Sequence, residues 1–406
     1  MAPPSSSAES TPHLQVAIIG NGIAGSAAAR GLALTMSAAI RDISLYEIGR
    51  GPGGRASTRK TRAIPAFRVN HGAPYAEVST REGLDFVASH GAFIAPYSGT
   101  VGYVDAATGS FERQSRRADE ARIVGEQGEM AAIAGALLLD DTKAPLPRIT
   151  AHYSTMVRGL VRERGPGHQW ILLDKDATEV GRADWLIVTG SGVAHPRWSA
   201  TFGGEPPLVQ AASALDDPQL DEALAVIAQQ TAAPVLTALF YGTDEVAEQW
   251  RRLGFNLGVV QRHEVLSKIS IQPCDGGGCA VVLHSTIAYA RANAGVHGSS
   301  SSAARVGDAS SDTTREEDII DDMLSALATI PGMPTFEKSR YAFGPLLHRW
   351  GNAFPEGPAL PADLCVCRNA RVAFCGDYVE TKAPIGSYEC ALLSGAAVAE
   401  SIAEGE

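Results

Sequence analysis

The chain has only six cysteines and no Cys-x-x-Cys pair, so neither a disulfide framework nor a zinc or dithiol centre is expected. Cys365 and Cys367 stand two apart at strand spacing, where inert packing is the expected role. None of the ten histidines forms an H-E-x-x-H pattern and no G-x-S-x-G elbow is present. Those absences argue against a bound metal and against a serine-hydrolase triad. Basic residues are in deficit, with 34 Lys and Arg against 45 Asp and Glu and a net charge of −11. Nucleic acid and anionic membranes repel such a surface and are not expected partners. Residues 1–12 are Pro/Ser-rich without a basic residue; they read as a disordered tail rather than a secretory or transit signal. The apolar run from Val16 is broken by glycines, so no membrane span is expected. The cytoplasm is the expected compartment.

What is present is a chain of 406 residues, 45% of them hydrophobic, enough for two domains. Val16–Ile19 reads as a buried strand, Gly20–Gly25 as a turn, Ser26–Leu34 as a helix and Ile43–Glu47 as a second strand, the βαβ opening of a doubly wound sheet. Thr155–Arg162 and Gln169–Leu173 read as strands around a Gly165-Pro166-Gly167 hairpin. Trp185–Thr189 and Val372–Cys375 are further strands, and Tyr388–Ile402 is a small-residue helix. The first domain is assigned 13–80, 146–204 and 362–406. A second, inserted in two pieces, takes 81–145 and 205–361. Within it, residues 290–313 are dominated by Ser, Ala and Gly and read as a flexible surface loop. The helix after it is expected to start at a Thr314/Glu317 capping box and to bury Ile320, Met323, Leu324 and Leu327.

Gly20-Asn21-Gly22-Ile23-Ala24-Gly25 is a G-x-G-x-x-G between strand and helix. Its glycines permit the tight turn, the approach of backbone N–H groups to a pyrophosphate, and close helix–strand packing. The positive end of the helix faces the phosphates. Glu47 closes the second strand, where a carboxylate grips ribose hydroxyls and repels a 2′-phosphate. FAD and NAD both use this arrangement. Gly53-Gly54-Arg55 follows at once: the glycines let a loop press on a diphosphate and Arg55 neutralises it. Arg59, Lys60 and Arg62 either extend that field or form a solvated basic loop. Far downstream, Gly376-Asp377 ends a strand ahead of the last helix. There a carboxylate can accept from a ribityl chain and a helix N-terminus can face a flavin ring, a need that a simple nicotinamide dehydrogenase lacks. Gly190-Ser191-Gly192 imitates a second dinucleotide turn, but His195-Pro196-Arg197-Trp198 does not read as a helix start.

The sequence resembles the flavoprotein amine-oxidase superfamily and, within it, the renalase family. The resemblance rests on Gly20–Gly25, Glu47, Gly53–Arg59, Asn70-His71-Gly72-Ala73-Pro74-Tyr75, His348–Pro355 and Gly376-Asp377 to Ser394-Gly395. It implies an α/β fold: a Rossmann-type FAD-binding domain with a β-meander and an inserted α+β substrate domain, as in amine oxidases and p-hydroxybenzoate hydroxylase. It implies non-covalent FAD, with Cys390 packing rather than attaching it. The cofactor-binding candidates are Gly20, Gly22, Ile23, Ala24, Gly25, Glu47, Gly53, Gly54, Arg55, Gly72, Ala73, Val157, Gly376 and Asp377. Tyr75, Arg349 and Trp350 are substrate-face candidates, with plain core packing open for Trp350. His71 reads as a satisfied core histidine or as a catalytic one. The implied reaction oxidises 2- or 6-dihydro isomers of NAD(P)H, a pyridine dinucleotide substrate, to NAD(P)+, with O2 as acceptor and H2O2 as product. An amine oxidase or desaturase on the same fold, and a non-catalytic flavin-binding protein, are the alternatives. The chain departs from the family pattern at Asn70, usually Asp, at Pro74, usually Gln, and at Gly351 and Asn352, where a larger pair is typical.

Overall fold

A computed structural model describes residues 13–163 and 168–406; the expected N-terminal tail and the Gly165-Pro166-Gly167 turn lie outside them. The first βαβ unit forms as the pattern predicts. Strand Leu14–Ile19 leads into helix Ile23–Thr35, and strand Ile40–Glu47 returns parallel to the first. Around this pair a six-stranded sheet runs in the order Ile149–Tyr153, Ile40–Glu47, Leu14–Ile19, Trp185–Val188, Val372–Phe374, Val366–Cys367. All of its pairings are parallel except the last. Its central strands Leu14–Ile19, Trp185–Val188 and Val372–Phe374 are buried nearly throughout, Ile18 and Leu186 fully so, as expected for the inner strands of a covered parallel sheet. Helix Tyr388–Ala403 packs on the opening helix. Gly395 makes that crossing close, since a Cβ there would stand 2.2 Å from the carbonyl oxygen of Ala24. Strands Gly159–Arg162, Trp170–Leu173 and Glu179–Ala183 form an antiparallel meander beside the sheet.

The second unit is built on a seven-stranded sheet in the order Phe343–Glu356, Thr231–Gly242, Cys279–Ser285, Leu266–Pro273, Leu257–Gln261, Val101–Asp105, Phe111–Arg113. One face packs Leu236, Phe240, Val281 and Leu283 against helices Asp244–Arg251 and Thr313–Ala328. The other face receives the hairpin Thr58–Thr61/Ile64–Asn70 through Phe67, Val69, Leu239 and Val282.

Several expectations need correction. Helices Pro207–Ala212 and Pro218–Gln229 bury Leu208, Leu220 and Ile227 in the first core, not in the inserted unit expected to begin at 205. Amphipathic spacing shows that a helix has an apolar face and not which core receives it. A helix does start at Arg197, running to Phe202 with Pro196 at its N-cap; proline is tolerated at a helix start because it needs no N–H there. The chain then continues through those two helices into an antiparallel strand, so no second dinucleotide unit forms. Residues 290–313 are not an unpacked loop. Ala290 and Val296 are fully buried, helix Ser302–Gly307 forms, and the Glu316 carboxylate accepts from the Ser299 N–H at 2.7 Å, the Ser299 hydroxyl at 3.0 Å and the Ser311 hydroxyl. One buried carboxylate thus supplies acceptors that a serine-rich composition does not reveal. The helix that follows is capped by Asp312, which accepts from the N–H groups of Thr314 and Arg315, rather than by Thr314. Its fully buried face is Ile319, Met323, Ala326 and Leu327, with Ile320 and Leu324 packed at the margin. Among the described residues no helix is long and apolar enough to cross a membrane.

Candidate functional site

The site begins at the opening turn. Gly20 has φ +106°, and a Cβ on Gly25 would lie 2.2 Å from the Gly20 carbonyl oxygen, so the turn closes only with glycine at Gly25. In front of Gly22 a side chain would meet nothing nearer than 3.9 Å; the backbone there is open for an anion to approach. Ile23 and Ala24 begin the helix and are buried. The side chain of Glu47 turns back on the turn, its two oxygens accepting from the N–H groups of Asn21 at 2.9 Å and Gly49 at 2.6 Å. Burial raises its pKa and those two donors oppose the rise. Each oxygen keeps a lone pair for a hydroxyl donor. Asn21 also holds Ser26 and Tyr153. Gly53 donates its N–H to Asn21 O at 2.8 Å, which lays the second glycine loop beside the first. Val157 is buried in the first core next to this region, between Thr155, whose N–H bonds Glu47 O, and Arg158.

Arg55 is engaged by a carboxylate within the chain. Its guanidinium forks onto Asp377, with Nη1 to Oδ2 at 2.5 Å and Nη2 to Oδ1 at 2.6 Å, and Nη1 also donates to Ala353 O at 3.0 Å. A carboxylate only 4% exposed needs such a partner. The positive field expected of its neighbours is also reduced, because Lys60 is paired with Glu129 at 2.7 Å. Arg59 has no carboxylate within ion-pair distance among the described residues; burial and then the nearby Arg50 and Arg305 lower its pKa.

Gly72 sits where the two units meet. A Cβ on it would lie 2.1 Å from the carbonyl oxygen of Arg55 and 3.1 Å from the Trp350 ring, so the loop passes between them only as glycine. Ala73 donates its N–H to the same Arg55 carbonyl. His71 is buried, its ring 4.9 Å from that of His348 and 5.0 Å from that of Trp350, and Trp350 Nε1 donates to His71 O at 3.3 Å. His71 is not a satisfied core histidine: Nδ1 has no partner among the described residues, nor do His348 Nδ1, His284 Nε2 and Asn352 Oδ1. Burial lowers the pKa of all three histidines, to about 4 for His348, to about 3 for His284 and well below the usual imidazole value for His71, so the cluster is neutral at pH 7.

Strand Phe343–Glu356 carries His348, Trp350 and Asn352 of this cluster, while His284 stands on strand Cys279–Ser285. Trp350 pairs with Val235 and Phe354 with Ala233, so three residues on one strand face one on the other. The bulge falls opposite Pro234, which has no N–H to give a ladder. It delivers Ala353 O to Arg55 and contains Gly351 and Asn352, two departures from the family pattern. His348 and Trp350 share one face by strand alternation. Arg349 therefore leaves the expected substrate face and donates from the other side to Ala290 O at 2.9 Å and Asn293 O at 3.3 Å, carbonyls at the end of helix Ile287–Ala292. Tyr75 is also engaged elsewhere. Its ring stacks on Tyr97 at 4.7 Å, Arg122 lies over it, and its hydroxyl donates to Glu77 at 3.2 Å. Asn70 has a structural use: it donates to Gly128 O and accepts from Thr58 Oγ1 and the Met130 N–H. Pro74 lines a cavity of about 360 Å³ with Tyr97, Asn256 and Gln272. A cavity of about 520 Å³ lies elsewhere, around Arg162, Asp217 and Arg371, and no candidate residue lines it.

Gly376, with φ +139°, is fixed by Ser394, whose hydroxyl accepts from its N–H at 2.8 Å. Cys390 is buried with Sγ 3.2 Å from Val379 O. Thus the glycine turns, Glu47, Arg55, Gly72, Asp377 and Trp350 gather along one path between the units, while Tyr75 and Arg349 stand outside it. Asn21, His284 and His348 belong to the path without having been singled out by sequence; period-2 alternation around Trp350 was the available signal for His348.

The fold and path define a class: two-unit proteins that present a dinucleotide turn to an inserted antiparallel sheet. Residues 18–87 match the family of NAD(P)-binding Rossmann-like domains. Solved structures of the same fold include a putative protoporphyrinogen oxidase from Exiguobacterium sp. 255-15, with 12% identity, 98% of this chain and 100% of that chain covered, and TM-score 0.59. A putrescine oxidase double mutant from a redesign of cofactor binding shows 14% identity over 96% and 99% of the chains, with TM-score 0.53. The protein FqzB shows 16% identity over 98% and 78%, with TM-score 0.51. Among curated proteins, no sequence matches this chain. Over nearly its whole length the chain shares the fold of the protoporphyrinogen oxidase-like and putrescine oxidase structures.

Proposed function

We propose that the chain is an FAD-dependent oxidoreductase and that its substrate is a 2- or 6-dihydro isomer of NAD(P)H. The residues present fit the cofactor. Gly22 leaves its backbone open where a pyrophosphate lies over the helix end, Glu47 retains acceptor capacity for ribose hydroxyls, and His71 Nδ1 and Asn352 Oδ1 are buried polar atoms awaiting partners. Gly20, Gly25, Gly53, Gly54, Gly72, Ala73, Val157, Gly376 and Asp377 are the remaining residues assigned to holding it. Bound there, FAD would supply a hydride acceptor; the isomer would leave as NAD(P)+, and O2, taking up the electron pair with one further proton from solvent, would leave as H2O2.

The observation that carries the substrate reading is the character of the face opposite Gly72. Trp350 and three neutral imidazoles form it, and the row of His284, Thr237 and His348 across its strands contains no carboxylate. An already reduced pyridine needs stacking and exclusion of water more than a general base. Trp350 gives the stacking surface, and histidines held neutral by burial leave no strong base in the contact. The fold shared with putrescine oxidase favours an amine as the second reading. Anaerobic mixing of the FAD-loaded protein separates the two. Bleaching of the flavin by 2- or 6-dihydro-NAD(P), and not by amines, is expected; bleaching by amines alone overturns the proposal, and no bleaching by any donor points to a non-catalytic flavoprotein.

A further inference from the structure

Across the inner face of the second sheet, one row of side chains runs from strand to strand. Lys268 pairs with His284, His284 with Thr237, and Thr237 with His348. Directly cross-strand residues point to the same side of a sheet, so all four lie on the face that receives His71 and Trp350. Lys268 is half-buried and, among the described residues, makes no ion pair and no side-chain hydrogen bond; its ammonium lies 5.8 Å from the centre of the Phe354 ring. His284 beside it is 6% exposed with Nε2 unpartnered. The one carboxylate whose field reaches Lys268 is Glu77, which is already bonded to Arg122 at 3.1 Å and to the Tyr75 hydroxyl. A half-buried cation without an ion-pair partner and a buried imidazole nitrogen without a partner both carry a desolvation cost, and here both lie on the face of the sheet that receives Trp350.

We propose that Lys268 and His284 form an anion-binding subsite that fixes a carboxylate or phosphate group of the substrate. Lys268 supplies the charge. The imidazole of His284, as its Nε2–H tautomer, supplies a directed donor, and Thr237 and His348 complete the polar strip leading to Trp350. The same arrangement repels an ammonium group, so the subsite selects against protonated amines on a fold that elsewhere accommodates one: the structure of a relative of this fold is described as putrescine oxidase bound to putrescine. The inference rests on the oxidoreductase reading for where the substrate lies and adds a charge requirement to it.

The test uses the full-length, FAD-loaded protein titrated with nicotinate, phenyl phosphate, nicotinamide and benzylamine. Binding is read from flavin absorbance and from tryptophan fluorescence, neither of which needs turnover. The expected order has nicotinate or phenyl phosphate binding at least about tenfold more tightly than nicotinamide or benzylamine. Whichever anion binds more tightly identifies the group as carboxylate or phosphate. Lys268→Met should abolish the preference, Lys268→Arg should keep most of it, and His284→Asn should weaken it while leaving the protein yellow. Benzylamine or nicotinamide binding as tightly as both anions overturns the proposal, as does unchanged anion affinity in a folded Lys268→Met variant. Anion preference without bleaching by dihydro-NAD(P) keeps the subsite and sinks the dinucleotide reading; bleaching without the preference does the reverse.

Discussion

Arg55 and Asp377, 322 residues apart, are joined by two hydrogen bonds of 2.5 and 2.6 Å. The pair ties the loop after the second strand to the loop before the last helix. Removing one partner leaves the other's charge poorly compensated, and Asp377 is almost fully buried. Arg55→Ala is expected to lower stability by about 3 kcal/mol, the low end for broken buried pairs because the Arg55 side chain is partly exposed. Arg55→Ala/Asp377→Ala should recover part of that loss. Urea unfolding of the two variants checks the order.

Glu47→Ala removes the acceptor shared by Asn21 and Gly49 as well as the one assigned to ribose. FAD affinity should fall by roughly 1–3 kcal/mol, about 5- to 150-fold. A variant that purifies fully yellow, with unchanged affinity in a flavin titration, removes Glu47 from the cofactor site.

The neutral histidines set a pH dependence. Their folded pKa values, about 4 for His348 and about 3 for His284, lie below the unfolded value near 6.5. The unfolded chain therefore binds protons first as pH falls. The stability these residues contribute is fully present above pH of about 6.5 and is lost progressively below it, down to the folded values. Urea midpoints at several pH values between about 7.5 and 4.5 should fall with acid, and His284→Gln/His348→Gln should flatten the curve. A wild-type midpoint independent of pH over that window contradicts the neutral cluster.

Asn70→Asp restores the residue usual in the resembling family but removes the donor to Gly128 O. The carbonyl would then face a carboxylate oxygen, at a cost of about 1–3 kcal/mol. Equal stability of the two proteins in urea would show that the Gly128 contact is immaterial.

Glu316 anchors the serine-rich segment through three hydrogen bonds. In Glu316→Ala, amide exchange over 297–311 should accelerate by tenfold or more, from about 1.4 kcal/mol or more of lost local stability. Unchanged protection there would mean that Val296 and helix Ser302–Gly307 hold the segment unaided.

Much of the first unit was legible because its signals are local. A glycine turn between a strand and a helix, with a carboxylate at the end of the next strand, is written in 28 consecutive residues from Gly20 to Glu47. The second unit was legible only as a difference in texture. Which core takes Leu208 or Ile227 depends on contacts across the chain, and periodicity is silent on that. Arg349 was misplaced for a simpler reason. Adjacent residues on a strand point to opposite faces, so Arg349 and Trp350 cannot both line one surface in regular strand geometry. The composition of the Ser-rich segment hides its packing, because the carboxylate of Glu316 that accepts from Ser299 and Ser311 lies outside the biased stretch. The pairing of Asp377 with Arg55 has no local signal either, because it joins residues 322 apart.

The crossing of helix Tyr388–Ala403 over helix Ile23–Thr35 has a consequence for biosynthesis. The sheet's Trp185–Val188 strand gains its outer neighbour only when Val372–Phe374 is made, and the opening helix has an uncovered side until the last helix arrives. A ribosome delivers those segments only after the whole inserted sheet. The nascent nucleotide fold thus stays open, with Ala24 and Ala27 still uncovered, while the inserted sheet is being made, and that sheet has every chance to form first.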